Sequence, residues 1–268
     1  MISDLKKKLP NSYARGLKKI FLYLRGIYYA GNSCDCNICN RKFRKMLPGG
    51  FNLPIIGEKE IIGAGTRNHI CPNCQSTDRD RFVKLFFDSR PDLLDDKIKI
   101  LHIAPEPGLY RFLSSFENAD YIPAAKYHEG IYYPAEMTLV DLTDMHYSDS
   151  EFDIIIANHV LEHIPNDKLA LSEMHRTLRK GGIAILQIPY SNNTDSTFEN
   201  TDLRTVKERE DNYGQFDHVR LYGKDYPKLL ESVGFMVKLI RQGDFDPAKV
   251  ERLKLFPKEI LFTAEKTK

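Results

Sequence analysis

Short apolar runs alternate with stretches whose apolar positions recur every three or four residues from Ile98 onward, and the two periods predict strands and helices in turn. "IKILHIA" is expected as the first strand and "LYRFLSSF" as the helix after it. "ADYIPAA", "EMTLVDL" and "FDIIIANHV" follow as strands two to four, the last a continuous β-branched run of the kind buried on both faces. "NDKLALSEMHRTLRKGG" reads as a helix capped by Asn166 or Asp167, with Leu171, Met174 and Leu178 on one stripe and Gly181-Gly182 as its stop. "IAILQIP" is the fifth strand, "DYPKLLESVGF" another helix, and "FMVKLIRQ" and "EILFTAEK" a final strand pair. The alternation specifies an α/β fold, a parallel sheet with helices on both faces. Ligands of such sheets sit beyond the carboxyl ends of the strands, where strand order reverses. The loops after Ile103, Ala125, Val140 and Ala157 are therefore the places to seek chemistry.

The pattern ahead of this domain is different. "NSYARGLKKIFLYLRGIYYAG" places Leu17, Ile20, Phe21, Leu24 and Ile27 at helical spacing, with Arg15, Lys18, Lys19 and Arg25 elsewhere on the wheel. Such a basic amphipathic helix packs on the rest of its protein or lies on a membrane surface, and packing is the expectation here. Three regions follow: 1–33 with this helix, 34–90 with the cysteines, and 91–268 with the sheet.

Charge sharpens the division. Residues 1–90 carry 17 Lys and Arg against 7 Asp and Glu, and the remaining 178 carry 22 against 30, so +10 faces −8 within a net +2. A basic N-terminal part suits an anionic partner or a solvated face. No window offers the roughly 18–20 uninterrupted apolar residues of a membrane span, and the start lacks a signal-peptide pattern, so a cytoplasmic protein is expected.

All five cysteines, Cys34, Cys36, Cys39, Cys71 and Cys74, fall within one 41-residue window. Cys36-Asn-Ile-Cys39 and Cys71-Pro-Asn-Cys74 form a pair of CxxC turns, each able to bring two sulfurs to about 2.3 Å from one tetrahedral ion. Structural zinc on Cys36, Cys39, Cys71 and Cys74 is the expectation, with iron the competing ion. Cys34 reads as a bystander that could replace Cys36, and His69 could enter the shell. The intervening "LPGGFNLPIIG" is turn-rich and too short to build a core alone.

The run "VDLTDMHYSDSEFDIIIANHVLEHIPNDKLALSEMHRTLRKGGIAILQIPY" resembles the strand-three to strand-five block of class I S-adenosylmethionine (SAM)-dependent methyltransferases. An acid after strand three, "FD" before strand four, "VLEHI" after it and an "LRKGG" turn recur there in that order. Residues 97–268 fit that fold, a Rossmann-like sheet, in order and length. "CPNC", the "APEPGL" loop and the late "DHVRLYG" together resemble a bacterial zinc-knuckle subgroup associated with cell-surface saccharides or secondary metabolites. The resemblance implies SAM as cofactor and a small polar or saccharide-type acceptor. It places Asp141 by the adenine and Leu142 over a face of the ring. Asn158 and His159 end the central strand on the sulfonium side. Asp141 has a second reading as a turn cap, and Glu162 and His163 one as holders of the strand-to-helix junction.

The cofactor loop departs from the family. Where an acid usually ends strand one the chain has His102, the loop glycines are Ala104 and Glu106 with only Gly108 kept, and strand two ends in Ala125-Lys126 without its acid, Glu129 being the next carboxylate. Two charge-assisted hydrogen bonds of about 1.5–3 kcal/mol each are missing, and Glu106 is the natural replacement. His102, Ala104, Glu106, Gly108, Asp141, Leu142, Asn158 and His159 are the candidate cofactor residues.

On the acceptor side His218, in "GQFDHVRLYG", is the candidate general base, with His159 bordering the transferred methyl. Adjacent residues of an extended segment point opposite ways, so Asp217 is not expected to orient His218, whereas Arg220 shares its face and could meet the acceptor. "SNNTDSTFENTDLRTVKEREDNYGQ", polar throughout, is expected as a mobile flap. Two other functions compete. One is an RNA methyltransferase gripping phosphates through the basic knuckle region, although dense interleaving of Arg, Lys and aromatic residues is confined to "CNRKFRK". The other is a SAM-fold binding protein without catalysis.

Overall fold

Ile98–Ile103 forms the expected first strand (β1), and Ala119–Ala125 (β2), Thr138–Leu139 (β3), Phe152–Ala157 (β4), Leu178–Ile185 (β5), Phe235–Arg241 (β6) and Ile260–Lys266 (β7) complete one sheet. Its order is β3-β2-β1-β4-β5-β7-β6. The structure, a computed structural model, describes residues 11–94, 97–126 and 136–267; Glu129 lies outside them. β1 to β5 are parallel, and β7 runs antiparallel between β5 and β6. Strand order reverses between β1 and β4, so the loops after Ile103 and Ala157 flank the switch point.

Two details differ from the pattern-based expectation. The helix Asp167–Thr177, capped by the Asn166 side chain on the Leu169 N–H, ends before the glycines. Leu178 already pairs with Phe152 in β5, and Gly181, at φ 74°, absorbs the break in register before Ile183. Strand three shrinks to Thr138–Leu139, paired with Ala124 and Ala125 at the sheet edge.

Helices cover both faces. Leu171 and Met174 of Asp167–Thr177 and Leu230 of Tyr226–Ser232 bury one face with Leu101 and Ile155. On the other, Phe82, Phe86, Leu109 and Leu113 pack with Ile100, Ile154 and Ile156. Phe82 and Phe86 belong to the helix Asp78–Ser89, which begins just past Cys74 on a reciprocal cap between Thr77 and Asp80. The chain leaving the cysteine cluster is thus itself a layer of the sheet.

The segment expected to be a mobile flap is folded. Phe198–Glu199 pairs with Arg220–Leu221, and a helix over Val206–Tyr213 starts on a Thr205–Glu208 capping box and ends at Gly214, φ 83°. Tyr213 and Leu221 bury against Ile55, Ile56 and Ile61, so the turn-rich segment gains the core it lacks alone. The N-terminal helix Asn11–Tyr28 docks on the knuckle through buried Leu22, through Gly26 against Asn73, and through Arg25 Nε donating to the Pro72 carbonyl at 2.7 Å. Its apolar stripe does not pack on the described residues as expected: Leu17, Ile20, Phe21, Leu24 and Ile27 are all exposed.

Candidate functional site

The strand Ala30–Cys36 and the turns at Cys39 and Cys71–Cys74 bring four sulfurs together, each within 4.8 Å of the others. Cys36 Sγ lies 3.6 Å from Cys74 Sγ, and Cys39 Sγ 3.7 Å from Cys71 Sγ. A tetrahedron with bonds of about 2.3 Å has edges of about 3.8 Å, so the donor set fits one divalent ion. The neighbouring sulfurs of Cys39, Cys71 and Cys74 pull the Cys36 thiol strongly toward its thiolate. Cys34 is a bystander whose sulfur donates to the Phe43 carbonyl at 3.4 Å. His69 stands apart from the four, with Nδ1 2.8 Å from the Arg67 carbonyl.

The loop after β1 holds its polar groups against one another. His102 is fully buried, with Nδ1 2.9 Å from the Tyr121 hydroxyl and Nε2 3.0 Å from Glu106 Oε2. Burial keeps Tyr121 protonated, so it donates to Nδ1 and leaves Nε2–H to donate to Glu106. Both ring nitrogens of His102, a candidate cofactor residue, are thus taken by protein groups, and its role is to position Glu106, which is 26 % exposed. Ala104 takes φ 48°, a left-handed conformation that an L side chain adopts only under strain, and its N–H donates to Ala124 O at 2.7 Å. The backbone keeps the turn of a glycine loop without the glycine. Gly108 is reserved for packing: a Cβ there would lie 3.0 Å from Ser76 Cβ and 3.2 Å from Asp80 Oδ2. Asp80, buried beside Glu106, is pushed up to about 7 by burial and then by the Glu106 charge.

Asp141 realises its turn reading and remains accessible. Its Oδ1 accepts from the Thr143 N–H at 2.9 Å and hydroxyl at 2.7 Å, while Oδ2 lies 3.1 Å from Lys126 Nζ. These bonds, the Thr143 N–H first, hold its carboxyl near 2. Leu142 is buried in the sheet core rather than standing open beside it. Asn158, at the end of β4, is 5 % exposed and neither its Nδ2 nor its Oδ1 has a hydrogen-bond partner among the described residues. An orphaned amide there, an accessible carboxylate pair in Glu106 and Asp141, and a preset turn at Ala104 fit a polar, cationic nucleoside ligand such as SAM.

A cavity of 340 Å³ opens beside His159, walled by Arg67, His69 and Arg79 from the cysteine region, His159, Glu162 and His163 from the loop after β4, Tyr213 from the segment expected as a flap, and His218 from "DHVRLYG". His159, at φ 54°, is the residue this cavity shares with the cofactor candidates. Its Nε2 contacts Arg79 and its Nδ1 lies 3.3 Å from Glu162 Oε1; burial and Arg79 lower its pKa well below 6.5. Glu162 is 1 % exposed, neither of its oxygens has a hydrogen-bond partner among the described residues, and burial raises it to about 8. His218 Nε2 is 3.9 Å from Glu162 Oε1, its Nδ1 is unpartnered among the described residues, and burial, then His163, lowers it to about 4. At neutral pH the pair is an uncharged imidazole beside a protonated carboxyl.

The "DHVRLYG" segment clamps the loop after β4. Arg220, 2 % exposed, donates to the carbonyls of Leu161, Ile164 and Pro165, and the Val219 N–H to that of Glu162. Arg220 is therefore a strut and not the acceptor contact expected from its spacing. Asp217, in a turn and not the extended segment expected, pairs with His163 rather than His218, its Oδ2 3.3 Å from His163 Nδ1. Glu162, His163 and His218 also present three potential ligand atoms within 4.8 Å of one another. Arg79 and Glu162 line the cavity without a local sequence signal that announces it. "STDRD" carries a Thr-x-x-Asp capping signal that fixes where the Arg79 helix starts, but nothing local shows what Arg79 faces.

A family model described as "Methyltransferase domain" matches residues 116–186. The fold is similar to a SAM-dependent methyltransferase from Archaeoglobus fulgidus, 16 % identical, covering 70 % of this chain and 94 % of that one at a TM-score of 0.44. It is also similar to the YcgJ protein of Bacillus subtilis, at 13 % identity, 69 % and 98 % coverage and 0.46, and to the [4+2]-cyclase SpnF, at 15 %, 70 % and 81 %, and 0.46. No curated protein matches the sequence.

Proposed function

We propose that this chain, which carries a class I SAM-dependent methyltransferase domain, methylates a small polar or saccharide-type acceptor bound in the cavity beside His159. SAM, when bound, supplies a methyl group on a sulfonium centre that an acceptor atom displaces in line. Glu106, held by His102, would take the amine end, Asp141 the adenine end, and Asn158 the middle of the cofactor. A structural zinc would sit on Cys36, Cys39, Cys71 and Cys74 and hold the turns from which Arg67 and His69 reach the cavity.

The observation that carries the acceptor side is the unpartnered Nδ1 of His218, a ring whose Nε2 lies 3.9 Å from the unpartnered Glu162 carboxyl. An imidazole lowered to about 4 is neutral at pH 7 and accepts the proton of an acceptor hydroxyl at Nδ1 as the methyl transfers. Its Nε2 lies 3.9 Å from Glu162 Oε1, so the lone pairs of that carboxyl oxygen would face the imidazolium that forms. Positioning supplies most of the acceleration, because displacement at a sulfonium needs collinear reactants more than acid or base. Phe51, half exposed at the cavity, offers a flat apolar face beside polar groups, which suits a sugar ring.

Calorimetric titration with SAM, followed by methyl-labelled SAM turnover against a panel of nucleotide sugars and glycosides, tests this. Binding plus a methylated sugar by mass spectrometry is the expected result. Absence of SAM binding overturns the enzyme reading. Label transferred to RNA in place of sugar overturns the acceptor.

A further inference from the structure

We infer that the helix Asn11–Tyr28 lies on an anionic lipid bilayer and holds the protein at that surface. The helix has two dissimilar sides. Leu22, Arg25 and Gly26 fasten one to the cysteine knuckle. On the other, Leu17, Ile20, Phe21, Leu24, Ile27 and Tyr28 stand 53–69 % exposed. Their spacing of i, i+3, i+4, i+7, i+10 and i+11 makes one continuous apolar stripe. Six large apolar groups on one helical face form a patch that soluble surfaces seldom leave in water.

Charge selects the occupant. The helix carries four basic residues and no acidic one. Arg41 lies 4.9 Å from the ring centre of Tyr23, and Arg44 4.6 Å from that of Tyr28, so cations and amphipathic aromatics edge the stripe together. A cavity of 570 Å³ under the helix is lined by Lys19, Arg41, Lys84 and Arg111 and by no carboxylate, although Lys84 also pairs with Asp88 and Arg111 also donates to the Cys74 carbonyl. Anionic headgroups match that lining. A second copy paired through the same stripe would bring Arg41 and Arg44, the cations that edge it, up to those of its counterpart, which like charges oppose. No described helix is long and apolar enough to cross a membrane, so the contact is one of lying on the surface.

The test uses the full-length, metal-loaded protein and sedimentation with unilamellar vesicles of phosphatidylcholine, with or without an equal part of phosphatidylglycerol. Expected are binding at least about tenfold tighter to the anionic vesicles and a decline with added salt. Phe21→Asp with Leu24→Asp should abolish binding while the thermal transition stays in place, since both side chains project from the fold. Lys18→Glu with Lys19→Glu should weaken it about tenfold with the apolar stripe intact. Equal binding of the Asp double variant, or no binding to anionic vesicles at lipid excess, overturns the inference. So does a dimer in analytical ultracentrifugation that the Asp double variant dissociates, which would assign the stripe to a second copy.

Discussion

The loop after β1 and the loop after β4 flank the same switch point and are finished in opposite ways. In the first, Tyr121, His102 and Glu106 form a chain of hydrogen bonds at 2.9 and 3.0 Å. In the second, Asn158 and Glu162, with His218 packed against the loop from "DHVRLYG", keep buried polar atoms without partners among the described residues. A buried unpaired donor or acceptor costs roughly 1–3 kcal/mol, so a fold keeps several together only where something else supplies the partner. The closed loop is built to present one carboxylate, and the open one to receive a ligand.

The largest effect should come from removing what both loops lean on. Cys71→Ser, or metal removal by a strong chelator, should release the turns behind Ser76 and the Arg67 wall and lower Tm by on the order of 10 °C in calorimetry. An unchanged Tm would separate the knuckle from both sites. Next, His218→Gln should reduce turnover about 10²–10⁴-fold with SAM affinity unchanged, since His218 packs against the open loop alone. Loss of SAM affinity would merge the two loops into one site. Metal analysis sharpens the same point: one equivalent per chain, unchanged in Glu162→Gln, agrees with an acid–base role for this cluster, and a lost second equivalent would make the trio a cation site.

Smaller effects address the closed loop. Glu106→Ala should weaken SAM binding about 10- to 100-fold, the equivalent of one charge-assisted hydrogen bond. His102→Phe should weaken it by a similar factor, and the double variant no further, because His102 acts through Glu106. Additive losses would return His102 to direct contact. The smallest expected effect is the pH dependence of stability. Glu162 gives up its proton near 4.5 when unfolded and near 8 when folded. Between those values the unfolded chain binds fewer protons, so stability falls as pH rises. Glu162→Gln should flatten that decline in thermal scans from pH 5 to 9, and an unaltered slope would remove Glu162 as its source.

The sheet was legible because its strands are continuous apolar runs whose period needs no tertiary knowledge. The sulfur cluster was legible because two CxxC turns bring their own geometry. Glu162 reads in sequence as a junction residue because its importance arises from burial, which spacing does not reveal. Arg220 misled for a related reason: alternation puts it on the face of His218, but three backbone carbonyls claim the guanidinium first. The polar flap hid a helix whose Thr205-x-x-Glu208 cap was readable, and whose single inward Tyr213 was too little apolar signal to predict packing. The stripe on the N-terminal helix was seen correctly, and only its expected neighbour was wrong.

Arg81 and Asp35, both at the cysteine knuckle, find their partners at the far end of the chain. Arg81 Nε donates to the Leu253 carbonyl 172 residues on, and Asp35 receives Arg252 from 217 residues on. During synthesis the knuckle could take up a metal ion long before residue 250 leaves the ribosome, yet it could not dock. Until then the apolar side of Asp78–Ser89, with Phe82 and Phe86, waits without its full sheet. Early ion capture and late docking would make the nascent chain most vulnerable to aggregation in between, so chaperone demand should peak before the last strand is made.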